Sequence, residues 1–323
     1  MDNLTHSLAG ALLGQMGLKR ASRFAMAGCI LGANAPDIDV VAPFFLPVDN
    51  IAFHRGPTHA LFGLPVMAAG TVALLWLLHR LWPGREGIAP FRAGPLFLIT
   101  LLATATHPFL DWLTTYAVAF FAPAGDGWYS ANAIFIIDWV YWIILVAGIW
   151  LSARRWKQGW DHPGRPARVA GAILLAYIAA NVGWSLHAER SLAAALRQRG
   201  IEPRLIVASP PPLAFWERSL AWRSADRWGA ASFSPTGGLA LEPASYPLGL
   251  DDPRFLRARK ERRLVRSFLY WSRMPIVVDV AGRPVLTDQR YFRALSDDRV
   301  PAAIRRRAPT GQFQIPLDLP SGP

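Results

Sequence analysis

The first part of the chain alternates long apolar stretches with short polar connections. The long stretches cover residues 58–78, 94–122, 131–153 and 169–186. A helix needs about 20 mostly apolar residues to cross a bilayer, so each stretch predicts one membrane-spanning helix. The pattern therefore indicates a multi-pass membrane protein with four long spanning helices.

Two shorter apolar segments, residues 4–18 and 24–35, precede the long ones. Each is short for a complete span, and together they predict a helical hairpin that packs against the longer helices. Small residues in both segments would let the helix backbones approach closely. These residues are Gly10, Gly14, Gly28 and Gly32.

The pattern changes after residue 187, where short β-rich runs are broken by proline and glycine. Two such runs flank "AGRP" at residues 281–284, which predicts a hairpin turn. The basic stretch "RFLRARKERRLVR", residues 254–266, is either a helix or a connector. The predicted fold is mainly α. A helical membrane domain covers residues 1–190, with four long helices and the N-terminal hairpin, and a small β-rich soluble domain covers residues 200–323.

Composition supports a membrane protein, because 52% of the residues are hydrophobic and only 17% are charged. The net charge of +12 is uneven: residues 1–187 carry +3 and residues 188–323 carry +9. A basic surface can meet anionic lipid or nucleic acid, but no nucleic-acid motif accompanies it, so the bilayer is the expected partner. Cys29 is the one cysteine, which excludes an intrachain disulfide and a cysteine-based metal site.

Basic residues concentrate in three connections, at residues 19–23, 80–92 and 154–168. Short loops rich in Lys and Arg stay in the cytoplasm, and one topology places all three there. It puts the loop around residues 47–56 and everything after residue 187 on the other side. We therefore expect a bacterial-type inner (plasma) membrane protein whose active site and C-terminal domain are non-cytoplasmic.

Ionisable side chains within apolar helices are costly and usually mark function. His107 and Asp111 lie four residues apart in the second long stretch, which places both on one helix face. That spacing suits two ligands of one metal ion. Pro108 would kink the helix beside them. The alternative is a His–Asp hydrogen bond that only holds helices together.

A second pair of histidines occurs in "HRGPTH", residues 54–59. Gly56 can cap a helix and Pro57 suits its first turn. This predicts that His59 projects from the first helical turn and that His54 lies in the preceding loop, both towards one pocket. Interfacial histidines without a metal are the alternative.

Further candidates lie near the N-terminus and before the third long stretch. In "APDID", Asp37 and Asp39 are two apart, and an extended turn would point both the same way. One could cap a helix while the other serves as ligand or general base, and we expect Asp39 to be the more essential. His6 is expected in the first turn of the first helix, and Asp138 opens the third long stretch.

The pooled candidates offer nitrogen and oxygen atoms without thiolate, which suits zinc, manganese or iron. One ion, or two with a bridging aspartate, would activate water and clamp a phosphoryl or carbonyl oxygen. A spare carboxylate, Asp39 or Asp37, would then act as base. The expected reaction is hydrolysis, with zinc the first choice of metal.

The motifs "NLTH", "APDID", "HRGPTH" and "HPFLDWLTTY", followed by "GDGWY" and "IIDWVYW", resemble the YdjM-like family of membrane-bound metal-dependent hydrolases. The resemblance covers about residues 1–190 and extends distantly to zinc-dependent phospholipases C. It implies hydrolysis of a phosphoester in a lipid or lipid-linked substrate. It also implies a set of metal ligands, with Asp37 as a further catalytic residue and Asp138 and Arg55 as supporting ones. The ligands are His6, Asp39, His54, His59, His107 and Asp111.

Two other functions compete with hydrolysis. One is a non-enzymatic metal-binding membrane protein such as a transporter, which needs polar groups along its whole path. The apolar stretches carry only sparse Thr and Ser in their cytoplasmic halves. The other is an interaction protein whose first part is an anchor, but an anchor would not need the His/Asp set.

Overall fold

The computed structural model describes residues 1–82, 90–280, 282–296 and 313–318. Contacts divide the chain into two compact units. The first unit comprises Met1–Leu46 and Phe53–Asn181, and the second comprises Pro47–Ala52 and Val182–Pro323. The fold is mainly helical with a separate antiparallel β region, as predicted. The predicted domain boundaries at residues 190 and 200 stay predictions.

The first unit is built from helices. They are α1 (Asn3–Gln15), α2 (Ala25–Gly32), α3 (Asn50–Phe53, which the division of units cuts), α4 (Gly63–Leu81), α5 (Ala93–Trp112), α6 (Trp139–Lys157) and the start of α7 (Arg165–Gln198), with 3-10 helices at Leu18–Arg20 and Ala35–Phe44. Apolar side chains of α2, α4 and α5 pack together, among them Ala25, Leu75 and Leu96.

Close packing of the predicted hairpin is confirmed. A Cβ on Gly10 of α1 would collide with the Cys29 carbonyl oxygen of α2, and a Cβ on Gly32 would come within 2.9 Å of the Thr100 carbonyl oxygen of α5. Small residues are therefore what lets α2 lie between α1 and α5.

Three helices of the described residues, α4, α5 and α7, are long and apolar enough to cross a membrane. The bent pair Ala25–Gly32 and Ala35–Phe44, with an angle of 50°, would be a fourth if it forms one span. The stretch at 131–153 is helical only from Trp139, where Asp138 caps α6 through the Tyr141 amide at 2.8 Å. Its last turn carries Arg154, Arg155 and Lys157. The uncharged part of α6 is therefore shorter than a complete span, and α6 is not among the three candidate spans.

The second unit contains two antiparallel sheets. Their strands are β1 (Leu205–Ser209), β2 (Arg218–Arg223), β3 (Arg227–Ser234) and β4 (Gly238–Pro247) in one sheet, and β5 (Pro275–Val280), β6 (Arg283–Asp288) and β7 (Gln314–Pro316) in the other, each in sequence order. The last turns of α7 cover the first sheet, where Leu192 and Leu196 pack against Trp222. Gly229 is required there, since a Cβ would meet the Trp222 ring at 2.5 Å.

The remaining helices of the second unit follow the first sheet. The basic stretch 254–266 forms α8 (Pro253–Glu261) and most of the first turn of α9 (Arg263–Trp271), and α10 is Gln289–Ser296. The hairpin predicted at residues 281–284 joins β5 and β6, although Ala281 lies outside the described residues. Within this unit, Ser267 of α9 donates to Asp49 at 2.6 Å, and Arg263 pairs with the same carboxylate at 3.2 Å.

Candidate metal centre

Three segments of the first unit carry six of the predicted site residues. The 3-10 helix Ala35–Phe44 holds Asp37 and Asp39, the turns between α3 and α4 hold His54 and His59, and the last turns of α5 hold His107 and Asp111. The prediction of an extended turn for "APDID" is wrong, because these residues lie in the 3-10 helix Ala35–Phe44, with Pro36 in its first turn. Both carboxylates nevertheless point to the same cluster.

The "HRGPTH" segment is also folded differently from the prediction. Gly56 and Pro57 do not begin a helix, since α4 starts only at Gly63. Consecutive turns intervene, in which Ala60 donates to the Gly56 carbonyl at 2.9 Å and Gly63 donates to the Ala60 carbonyl at 2.8 Å. These turns bring His59 inward, where its side chain is fully buried.

Asp37, His59, His107 and Asp111, here called the inner group, each offer one ligand atom within 4.8 Å of the others. The Nε2 atom of His107 lies 3.2 Å from Oδ1 of Asp37 and 3.5 Å from Oδ2 of Asp111. The Nε2 atom of His59 lies 3.5 Å and 3.4 Å from the same two oxygens. Two imidazoles and two carboxylates therefore face one point.

The hydrogen bonds behind these rings fix which nitrogen is available. His107 Nδ1 lies 2.6 Å from the Ala33 carbonyl oxygen. A carbonyl can only accept, so Nδ1 carries the proton and Nε2 keeps its lone pair in a neutral ring. Such an outer hydrogen bond is what orients a metal-binding histidine.

Asp37, Asp39 and His54, here called the outer group, form a second set of ligand atoms within the same limit. His54 Nδ1 lies 2.8 Å from Oδ1 of Asp39. The other oxygen of Asp39 accepts from the Arg55 amide at 3.0 Å and from Thr58 Oγ1 at 2.8 Å. Asp37 belongs to both groups, which is the arrangement of a bridging carboxylate.

Several of these atoms are buried without a hydrogen bond in the described part of the chain. They include both ring nitrogens of His6, Nε2 of His59 and Oδ2 of Asp111. Burying polar atoms in this state costs about 1–3 kcal/mol each. A divalent cation would satisfy the His59 and Asp111 atoms together, and the donor set of nitrogen and oxygen fits zinc, manganese or iron.

Arg55 adds a buried positive charge beside the inner group. Its Nε lies 3.0 Å from Oδ2 of Asp111, and its guanidinium lies over the Tyr116 ring, 4.8 Å from the centroid. The residue has φ of 64°, a costly conformation for a side chain with a Cβ. Bonds from its amide to Asp39 and from the Ala119 amide to its carbonyl hold it there.

The other predicted residues have distinct positions. His6 is fully buried and stacks on His107, with ring centroids 3.7 Å apart, and its Nε2 lies 3.4 Å from Oδ1 of Asp111. The amino group of Met1 contacts the same oxygen. His6 belongs to neither ligand group, so its role as a ligand stays a prediction. Asp138 accepts from the Tyr141 amide and the Tyr177 hydroxyl, which makes it a helix cap.

Sequence reasoning missed three contributors. Thr58 binds Asp39 and also lies 3.0 Å from His59 Nδ1, and it stands inside the "HRGPTH" motif. Tyr116, at the end of "HPFLDWLTTY", packs edge-on against His54 at 5.8 Å. The Ala33 carbonyl has no side-chain signature, and only the fold reveals it.

The outward face of the same 3-10 helix is apolar. Ile38, between the two aspartates, is 62% exposed, and Phe44 and Phe45 at its end are 84% and 81% exposed. Asp37 and His54 are the accessible ligands, with side chains 14% and 17% exposed. The 3-10 helix that carries Asp37 and Asp39 therefore also presents exposed hydrophobic side chains.

Comparisons with known proteins agree with this picture over the first part of the chain. The model of the family described as "YdjM inner membrane protein" matches residues 1–188. A relative from Bacillus subtilis (strain 168), described as "Uncharacterized protein YfhP", is 28% identical over 200 residues. These residues cover 59% of this chain and 57% of the relative. The chain thus spans little more than half of that protein. No solved structure matches.

Proposed function

Because this chain belongs to the YdjM inner membrane protein family, we propose that it is an integral membrane metal-dependent hydrolase. The bond that it would hydrolyse is a phosphoester in a lipid or lipid-linked substrate. The observation that carries the proposal is the buried pair of ligand groups that share Asp37. A structural His–Asp network would have its buried atoms satisfied, whereas His59 Nε2 makes no hydrogen bond in the described residues.

The inner group would hold one divalent ion and the outer group a second, with Asp37 between them. A bound ion, zinc being our first choice, lowers the pKa of water and polarises a phosphoryl oxygen. His107 and His59 would supply neutral imidazoles whose free nitrogens face Asp37 and Asp111. Asp39, held through both oxygens, orients His54 and Thr58. Asp37, the more accessible of the two aspartates, would be a ligand shared by both ions.

Arg55 is suited to orient the substrate. A guanidinium presents several donors in a plane that matches the oxygens of a phosphate group. Its Nε already faces a carboxylate oxygen of Asp111. A phosphoryl oxygen bound nearby would accept a hydrogen bond from the same guanidinium, and a hydrogen bond from a charged donor is stronger than one from a neutral donor.

The exposed hydrophobic side chains of the 3-10 helix support an amphiphilic substrate. Ile38 stands between the two aspartates, and Phe44 and Phe45 lie at the end of the same helix, all strongly exposed. In a protein of an inner membrane family, such side chains suit contact with acyl chains. A lipid could then present its phosphoester to Asp37 without leaving the bilayer. The basic-loop pattern leads us to propose that this happens on the non-cytoplasmic side.

The test is turnover by purified protein reconstituted with zinc, manganese or iron. The substrates are phospholipids with different headgroups and a generic water-soluble phosphoester, and the readout is the released phosphate or alcohol. We expect metal-dependent cleavage of a lipid in preference to the soluble ester, and its loss in His107→Ala. Protein that holds metal but cleaves none of the panel would instead support a non-enzymatic metal-binding function.

A further inference from the structure

The end of the first unit away from the metal centre carries a second cluster of charged side chains. His6 stands in the first turn of α1, and α1 then runs 13 residues, a length of about 20 Å. The connection that follows, residues 16–24, contains Lys19, Arg20 and Arg23. Helix α2 returns from there to Ala33, whose carbonyl contacts His107.

These three cations surround an open cavity of about 520 Å³, here called the basic cavity. Residues 19, 20 and 22–26 line it. Two local features shape the chain around the cavity. Phe24 has a φ of 65°, and the Ser22 hydroxyl accepts a hydrogen bond from the Arg92 amide at 2.9 Å. Phe24 and Met26 add apolar surface to the basic side.

The cations of the basic cavity have no carboxylate partner among the described residues. The ion pairs of that part of the chain include neither Lys19 nor Arg20 nor Arg23. Their contacts are neutral. Lys19 donates to Gln15 at 2.9 Å, and Arg23 donates to the Trp82 carbonyl at 2.6 Å. Burial and the Arg20 charge lower the pKa of Lys19 from its ordinary value. Three neighbouring positive charges without a counterion among the described residues favour an anion.

Tryptophans at this end favour a lipid over a free anion. Lys19 and Arg20 lie over the Trp156 ring, 4.3 Å and 5.1 Å from its centroid. Arg80 stacks on Trp76 and Arg154 on Trp150 in the same way. Trp beside Lys or Arg is typical of the headgroup layer of a membrane, and basic pockets between membrane helices bind anionic headgroups.

We propose that the basic cavity binds the phosphodiester headgroup of an anionic phospholipid. Lys19, Arg20 and Arg23 would face the phosphate oxygens, while Phe24 and Met26 would contact the start of the acyl chains. This site is separate from the metal centre and would hold a lipid that is bound and not cleaved.

The experiment measures lipid binding to the full chain in neutral detergent with a chelator present, so that it does not depend on the metal centre. Native mass spectrometry counts bound phosphatidylglycerol against phosphatidylcholine of the same acyl chains. The test variant is Lys19→Gln with Arg20→Gln, which leaves the Arg23 contacts intact. The matched control is Arg80→Gln with Arg154→Gln, which removes two Trp-stacked charges outside the cavity lining.

We expect the wild type to prefer phosphatidylglycerol. The test variant should weaken that binding by about fivefold per cation removed, since attraction to anionic lipid is about 1 kcal/mol per residue, and the control should keep it. Equal binding of both lipids, or equal losses in both variants, would overturn the proposal. Displacement of the lipid by millimolar inorganic phosphate would also overturn it, because the site would then be one for free phosphate. Arg23→Gln should weaken the binding by a similar factor, and full retention of the phosphatidylglycerol preference in that protein would overturn the part assigned to Arg23.

Discussion

Asp111 in the first unit and Asp288 in the second are both fully buried carboxylates, yet their surroundings differ. Asp288 accepts from Ser272 at 2.6 Å, from the Met274 amide at 3.1 Å and from Arg290 Nε at 2.8 Å. Around Asp111, the imidazoles of His59 and His107 approach Oδ2 at 3.4 Å and 3.5 Å. Arg55 Nε lies 3.0 Å from the same oxygen, while His59 Nε2 makes no hydrogen bond in the described residues.

The difference separates a structural charge from a functional one. A buried charge is tolerated when hydrogen bonds satisfy it, and Asp288 with Arg290 meets that condition with protein atoms. The Asp111 cluster collects nitrogens and oxygens whose lone pairs point at each other. Such a set gains from a cation between its members. Both buried aspartates pair with an arginine, so the feature that distinguishes the Asp111 site is the convergence of several ligand atoms on one point.

The largest expected effect is loss of metal from the first unit. His107→Ala should reduce the bound metal of purified protein to background, because it removes Nε2 from the inner group. Asp111→Ala should do the same. Elemental analysis of protein prepared without chelators measures this, with zinc added back to follow thermal stability.

His162→Ala is the control for this loss, since His162 is an exposed histidine. It should leave the metal content unchanged. If wild-type protein is metal-free and added zinc alters neither its stability nor its activity, the contrast drawn between Asp111 and Asp288 has no functional meaning.

The second expected effect concerns the side of the membrane that the metal centre faces. The basic loops predict that Ser130 is outside the cytoplasm and Gly159 inside it. With Cys29→Ala as background, Ser130→Cys should react with an impermeant thiol reagent in spheroplasts. Gly159→Cys should react only after the membrane is opened. Labelling of Gly159→Cys alone in sealed cells would show that the topology is inverted. The substrate would then have to be reached from the cytoplasm.

The third prediction separates the two aspartates of the 3-10 helix. From the sequence we expect Asp39→Asn to be the more damaging change, and that assignment stays a prediction. The distances motivate the opposite order, because Asp37 belongs to both ligand groups while Asp39 is occupied by His54, the Arg55 amide and Thr58.

Metal content and activity of the two variants decide between these orders. On the structural argument, Asp37→Asn should lose metal and activity together, because Asn is a weaker ligand for either ion. Asp39→Asn should keep most of its metal, since an amide oxygen can still accept from Thr58. Greater metal loss in Asp39→Asn would return the central role to Asp39.

Much of the fold follows from the sequence because apolar length and turn residues are local signals. Residues 58–78 and 94–122 predict α4 and α5, and the "AGRP" turn predicts the β5–β6 hairpin. The helix starts were less accurate. Gly63 begins α4 five residues late, since the preceding turns are held by backbone bonds that no side-chain pattern announces.

The candidate site was predictable at the level of residue types. His59, His107 and Asp111 come together, as their positions near one end of the helices suggested. Spacing could not show that Asp37 stands between two groups, because that depends on the 3-10 geometry after Pro36. Nor could it show that Asp138 is used as a cap.

The smallest expected effect is on the stability of the second unit. Asp288→Asn removes the carboxylate that pairs with the buried Arg290 and should lower the free energy of opening of β5 and β6 by about 3 kcal/mol. Hydrogen exchange of the amides in these strands measures it. Asp251→Asn, an exposed aspartate in the turn before α8, should change nothing, and neither variant should alter the metal content.

The pH dependence of this loss tests its electrostatic origin. Burial alone would raise the pKa of Asp288, but the Arg290 charge and the bonds from Arg290 and Ser272 lower it below its ordinary value. A carboxyl group with a depressed folded pKa stabilises the protein above its unfolded pKa of about 4, and this stabilisation is lost as the pH falls further. The difference between wild type and Asp288→Asn should therefore be full at neutral pH and shrink towards about pH 3. A difference that stays constant over this range would mean that the lost stability comes from packing, and the contrast with Asp111 would then rest on hydrogen bonds alone.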